Sequence, residues 1–231
     1  MSEREPLDSL AKHLPAFVLA GGRSRRFGEQ SAEAAENEVD KARILIDGEV
    51  QIRRLLDQLV TTGHAVQIVA DRMDRYQEFG IESLVDEIPG SGPMSALLTC
   101  LHQRLESDGE GWILLTSCDQ LYWSANWTQA FCTEIESLGD ADLEAICTPQ
   151  AGSSTNSPVQ PIPAVFHTRF RIRLSEQLSL GERSLRRVLE REPTRVHLLK
   201  SLAASPAEWC FNTSDELEDL LVAWRKLSKP F

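Results

Sequence analysis

Residues 16–28 read Ala-Phe-Val-Leu-Ala-Gly-Gly-Arg-Ser-Arg-Arg-Phe-Gly, a short apolar run that breaks into two glycines and then three arginines. Gly21 and Gly22 permit positive φ and let a ligand come close to the backbone. Arg23, Arg25 and Arg26 set fixed positive charge beside exposed amide groups, which is the chemistry a nucleoside triphosphate requires. Neither common phosphate loop fits. The glycines are adjacent rather than spaced G-x-G-x-x-G, and Glu29 follows Gly28 where a P-loop needs Lys. The competing reading is a solvated basic turn after a core strand.

Three further side chains have types suited to the same ligand. Asp119 follows the apolar run Trp112–Leu115, and a carboxylate there can bind Mg²⁺ while leaving positions for phosphates and water. A turn or helix-capping Asp would look the same. Lys41 can supply a point charge to phosphate oxygens. Asp86 can accept from a base or ribose, or simply end its strand. No His or Cys pattern offers a nucleophile or general base, and the five cysteines contain no C-x-x-C pair.

These residues need a scaffold that carries them to one edge. Ala16–Ala20, Ala65–Ala70, Glu82–Val85 and Trp112–Leu115 read as buried strands, with further strands near 143–147, 164–166 and 195–199. Ile52, Leu55, Leu56, Leu59 and Val60 mark one helix that stops at Gly63. Pro93 opens another, carrying Met94, Leu97, Leu98, Leu101 and Leu105. Residues 71–79 read as a short helix, 125–138 as a longer one, and 170–180 and 183–191 as two more. Thr213 with Glu216 forms a capping box for the last helix. Alternating strands and helices predict a Rossmann-like, mostly parallel sheet covered on both faces, an α/β fold. Gly21, Asp86 and Asp119 then fall at strand carboxyl ends, where such sheets bind ligands.

Composition narrows the partners. A chain of 231 residues with formal net charge −11 argues against a nucleic-acid surface and makes the arginine cluster a local exception. The polar, charged start is no signal peptide and no apolar run spans a bilayer, so a cytoplasmic protein with no membrane partner is expected. The odd, scattered cysteines fit a reducing compartment.

Taken together, Leu19–Gly28 with Asp40-Lys41 resembles the L-A-G-G-x-S-x-R-x-G…D-K signature of the molybdenum cofactor guanylyltransferases. Gly92–Leu97, Cys118-Asp119-Gln120, Gln160–Phe166, Gly181–Arg191 and Asn212–Leu217 are similar, in order, to that family's later motifs. The resemblance implies a glycosyltransferase-A-like nucleotidyltransferase fold. It also implies transfer of GMP from GTP to molybdopterin, with release of pyrophosphate. By this resemblance Leu19, Ala20, Gly21 and Gly22 hold the nucleotide, Arg25 and Lys41 take the triphosphate, Asp86 contacts the nucleotide and Asp119 binds Mg²⁺. GTP and molybdopterin are the implied partners, with molybdoenzymes or their chaperones beyond them.

The chain divides into an N-terminal extension, 1–14, and a single nucleotidyltransferase domain, 15–228. An acidic insertion, 29–39, separates the glycine loop from Asp40-Lys41, and Cys210 stands where the family has a second Asn. Two alternatives remain at this point. One is a CTP-dependent molybdopterin cytidylyltransferase, a family that tends to L-A-A-G in the first loop. The other is a non-catalytic nucleotide-binding relative acting in molybdoenzyme maturation.

Overall fold

A computed structural model describes residues 14–20, 40–81, 83–88, 91–139, 141–149, 159–199, 202 and 205–227. Its centre is a seven-stranded sheet built from β1 (Ala16–Leu19), β4 (Val66–Ala70), β5 (Ser83–Val85), β6 (Trp112–Ser117), β7 (Ala145–Pro149), β8 (Val159–His167) and β9 (Val196–Leu198). The spatial order is β5-β4-β1-β6-β8-β7-β9. β1 pairs in parallel with β4 and β6, β4 with β5, and β7 with β9, whereas β8 runs antiparallel to both neighbours. From β1 the chain builds outward through β4 and β5, then returns to β6 on the other side. The sheet therefore reverses its strand order between β1 and β6.

The side-chain period of two sends alternate strand residues into two cores. Ala16, Val18, Ile68 and Leu114 enter one core with Ile52, Leu55, Leu56, Leu59, Trp123 and Phe131. Phe17, Val69, Ile113 and Leu115 enter the other with Met94, Leu97, Leu101, Phe170, Leu174 and Val188. The first is covered by α1 (Gln51–Thr61) and α3 (Ala125–Leu138); the second by α2 (Pro93–Asp108), α4 (Arg171–Ser179) and α5 (Leu185–Arg191). The apolar stripes read from the sequence are these buried faces. A last helix, α6 (Ser214–Leu227), has the expected capping box: the Glu216 N–H donates to Thr213 Oγ1, and Glu216 Oε2 accepts from the Asn212 and Thr213 N–H groups.

A small hairpin of β2 (Leu45–Ile46) and β3 (Glu49–Val50) turns at Asp47 and Gly48, both at positive φ, as a two-residue hairpin demands.

One expectation needed correction and another an extension. Residues 71–79 form turns ending in a 3-10 segment, Gln77–Phe79, rather than a helix. Tertiary bonds prevail here. Tyr76 is buried with its hydroxyl on Asp40, and Arg75 reaches both Asp71 and Asp40. The strand at 164–166 extends over nine residues, Val159–His167, despite two prolines. A register shift between Cys147 and Thr148 on the partner strand passes over Pro161 and Pro163, where N–H donors are missing.

Candidate active site

The carboxyl edge of the parallel strands forms a hydrogen-bonded row. The Asp86 N–H donates to Ala70 O (3.2 Å), the Ala20 N–H to Val69 O (2.8 Å) and the Cys118 N–H to Leu19 O (2.9 Å). Leu19, Ala20 and Asp119 are thereby neighbours on two adjoining strand ends, at the point where the strand order reverses. Asp86 lies at the far end of the row, three strand spacings, or about 14 Å, from the β6 terminus.

Asp119 sits in the turn that ends β6 and is half-buried. Its carboxylate accepts a hydrogen bond from Ser117 Oγ. Burial pushes its pKa above the ordinary carboxylate value, while the Ser117 hydroxyl and the Lys41 ammonium pull the other way. The carboxylate is thus held where its negative charge calls for a cationic partner. Among the described residues, no group of three or more His, Cys, Asp or Glu stands together as a metal cluster.

Lys41 begins a 3-10 turn, Lys41–Arg43, whose N-cap is Asp40. Its Nζ lies 3.5 Å from Phe211 O and 5.9 Å from the centre of the Phe211 ring. The Phe211 N–H in turn donates to Asp119 O at 3.0 Å, so Phe211 links the lysine to the aspartate turn. The turn bearing Lys41 is itself anchored. Asp40 caps the Ala42 N–H at 3.1 Å, accepts from the Tyr76 hydroxyl and pairs with Arg75 (3.3 Å) and Arg43 (3.6 Å). Both guanidinium groups lie over the Tyr76 ring, at 5.6 and 5.4 Å. Burial, and then the Asp40 charge, push the Tyr76 hydroxyl pKa up, so it remains a donor.

Asp86 is half-buried and engaged locally. Its Oδ1 accepts from Ser95 Oγ (2.5 Å) and from the Ile88 N–H (3.0 Å). It thereby ties β5 to the first turn of α2, which Gly92 enters at positive φ ahead of Pro93. Of the other sequence-derived candidates, Gly21, Gly22 and Arg25 lie outside the described residues, as does the 29–39 insertion. Tyr76 and Phe211 also contact the candidate residues, through Asp40 and Lys41. Neither carried a sequence signal, because an aromatic side chain at the edge of an apolar stretch is common in any fold.

A carboxylate and a lysine stand where a mostly parallel sheet reverses its strand order, the place at which open α/β sheets bind their ligands. Residues 16–196 match the MobA-like NTP transferase domain, and the chain belongs to that family of nucleotidyltransferases. A molybdenum cofactor guanylyltransferase of Haemophilus influenzae is 27% identical over 174 residues, covering 74% of this chain and 80% of the relative. A probable molybdenum cofactor guanylyltransferase of Bacillus cereus is 24% identical over 217 residues, covering 92% and 96%.

Among solved structures, molybdopterin-guanine dinucleotide biosynthesis protein A of Archaeoglobus fulgidus superposes with a TM-score of 0.70 at 17% identity, over 92% of this chain and 100% of that one. A nucleotidyl transferase of Methanothermobacter thermautotroptrophicus gives 0.67 at 16% identity, over 94% and 99%. These likenesses establish the nucleotidyltransferase fold.

Proposed function

We propose that this protein transfers GMP from GTP to the terminal phosphate of molybdopterin, releasing pyrophosphate and forming molybdopterin guanine dinucleotide. The observation that carries the reading is the convergence of Asp119, Lys41 and the Leu19-Ala20 strand end on one rim, through the contacts of Cys118 with Leu19 and of Phe211 with Asp119. The relatives named as guanylyltransferases support GTP as donor and molybdopterin as acceptor. The paired glycines of the first loop favour guanine over cytosine by resemblance.

The residue types suit the reaction. An attacking phosphate is already ionised, so the chain needs no general base; it needs positioning and charge neutralisation. Asp119 would hold Mg²⁺, and the ion would neutralise phosphate charge at the reacting phosphorus. A lone carboxylate fits that ion, which keeps several waters and takes its remaining ligands from phosphates. Lys41, braced through Asp40 and Phe211, supplies a fixed positive charge on the same rim. Leu19 and Ala20 present the backbone end of β1 to the nucleotide. Asp86 orders the loop before α2 through Ser95 and offers its carboxylate to the nucleoside end.

The test is purified protein with Mg²⁺, molybdopterin and either GTP or CTP, assayed for pyrophosphate and for the dinucleotide product. Product from GTP is expected. Product from CTP alone would make it a cytidylyltransferase, and nucleotide binding without pyrophosphate would make it a non-catalytic relative.

A further inference from the structure

Most backbone groups of the turn that carries Asp119 bond to a different element. The Cys118 N–H goes to Leu19 O of β1, and the Gln120 N–H to Ser117 O. The Asp119 carbonyl accepts from the Phe211 N–H, and the Leu121 N–H donates to Trp209 O. Two carbonyls remain, those of Cys118 and Gln120, on either side of Asp119. Both accept from one side-chain amide: Gln51 Nε2 lies 2.7 Å from Gln120 O and 3.4 Å from Cys118 O.

Gln51 is the first residue of α1 and is fully buried. Its own Oε1 is buried with no hydrogen-bond partner. A buried amide with an orphaned carbonyl is a cost to the fold. Gln51 lies four residues before Leu55 on the buried face of α1, a place that an apolar side chain would also fill. Its two N–H bonds are what it contributes, and both go to the aspartate turn.

Gln120 completes the arrangement from the far side. Its Nε2 donates to Tyr122 O (2.8 Å) and Pro206 O (2.9 Å), and its Oε1 accepts from Cys210 Sγ at 3.0 Å. Two buried amides therefore clamp the turn between α1 and the 206–211 segment.

We infer that Gln51 is a positioning residue for nucleotide binding: by donating to the carbonyls on both sides of Asp119, it fixes the peptide orientations that aim the Asp119 carboxylate at a metal–triphosphate. This inference rests on the nucleotidyltransferase reading of the rim. Without the two donors, the flanking peptides can rotate toward other partners. Displacement of a carboxylate by a fraction of an ångström is enough to loosen a metal–phosphate site.

The test compares wild type with Gln51→Met, which keeps the side-chain length, lacks the donors and removes the orphaned carbonyl. Val188→Ala, in the opposite core, serves as a destabilised control. Binding of Mn²⁺ in the presence of GTP is measured from the free-ion electron paramagnetic resonance signal. Thermal unfolding and near-ultraviolet circular dichroism report the fold.

Gln51→Met is expected to keep a native near-ultraviolet spectrum and to bind Mn²⁺·GTP about ten-fold more weakly. Val188→Ala should unfold at lower temperature with wild-type affinity. Equal Mn²⁺·GTP affinity in Gln51→Met and wild type overturns the inference. So does a loss in Gln51→Met that Val188→Ala reproduces. Should Gln51→Met fail to fold, Gln51→Asn provides the same readout: its amide is one methylene too short to reach both carbonyls, so Mn²⁺·GTP affinity must fall relative to wild type. An unchanged affinity overturns the inference. Wild-type protein that binds no Mn²⁺·GTP removes the nucleotide reading itself, a result distinct from loss of the brace alone.

Discussion

His167 makes the fold of this molecule acid-sensitive. It ends β8 and pairs in register with Trp112, whose ring meets it edge-on at 5.1 Å. The side chain is buried, and its Nδ1 accepts from the Arg169 backbone N–H (3.2 Å) and from Arg169 Nε (3.0 Å). A proton on Nδ1 would break both bonds and face a guanidinium. Burial first, and then the Arg169 charge, lower the pKa from 6.5 to about 4.

A base whose pKa is depressed in the folded state is fully compatible with folding above its unfolded value. It withdraws stability as pH falls toward the folded value. The window is therefore pH 6.5 down to about 4, and the loss across it is about 3 kcal/mol. That is a substantial share of the 5–15 kcal/mol typical of a domain. His64, buried between Leu14 O and Thr128 Oγ1 with its pKa lowered by burial, adds a loss of the same sign.

Urea unfolding of wild type and His167→Gln at pH 7, 5.5 and 4.5 separates the two histidines, since His64 is common to both proteins. Wild type is expected to lose more stability on acidification than His167→Gln, by an amount approaching 3 kcal/mol at the lowest pH. Parallel losses in the two proteins would refute the reasoning.

Replacing Asp119 by Ala or Asn is expected to lower pyrophosphate release from GTP at least about 100-fold, and an unchanged rate removes this residue from the mechanism. Because burial raises the Asp119 pKa and the ionised form is the one required, wild-type nucleotide binding should weaken as pH falls through that raised value. In Asp119→Asn the residual binding should lose that limb, as calorimetric titration across pH would reveal. Tyr76→Phe removes the hydroxyl from Asp40 and is expected to cost about 1 kcal/mol of stability in urea, with weaker GTP binding through the loosened Lys41 turn. Thr213→Ala deletes the cap of α6 and should cost about 1 kcal/mol without changing GTP affinity.

Much of this protein is legible in its residue order, because strand and helix periodicity and cap chemistry are local. The apolar run Ala16–Leu19, the stripe from Ile52 to Leu59, Pro93 at a helix start and the Thr213–Glu216 box each dictate their element from neighbours a few residues away. Asp119 and Lys41 were identifiable as candidates from their residue types and from family likeness. Residues 71–79 read wrongly because the bonds that decide them come from Asp40, more than thirty residues away. The brace of Gln51 on Cys118 and Gln120 spans nearly seventy residues, and the contact of Lys41 with Phe211 spans 170. Strand order alone makes those partners adjacent. A hydrogen bond acts over about 3 Å, and only the folded sheet brings such distant groups within its reach.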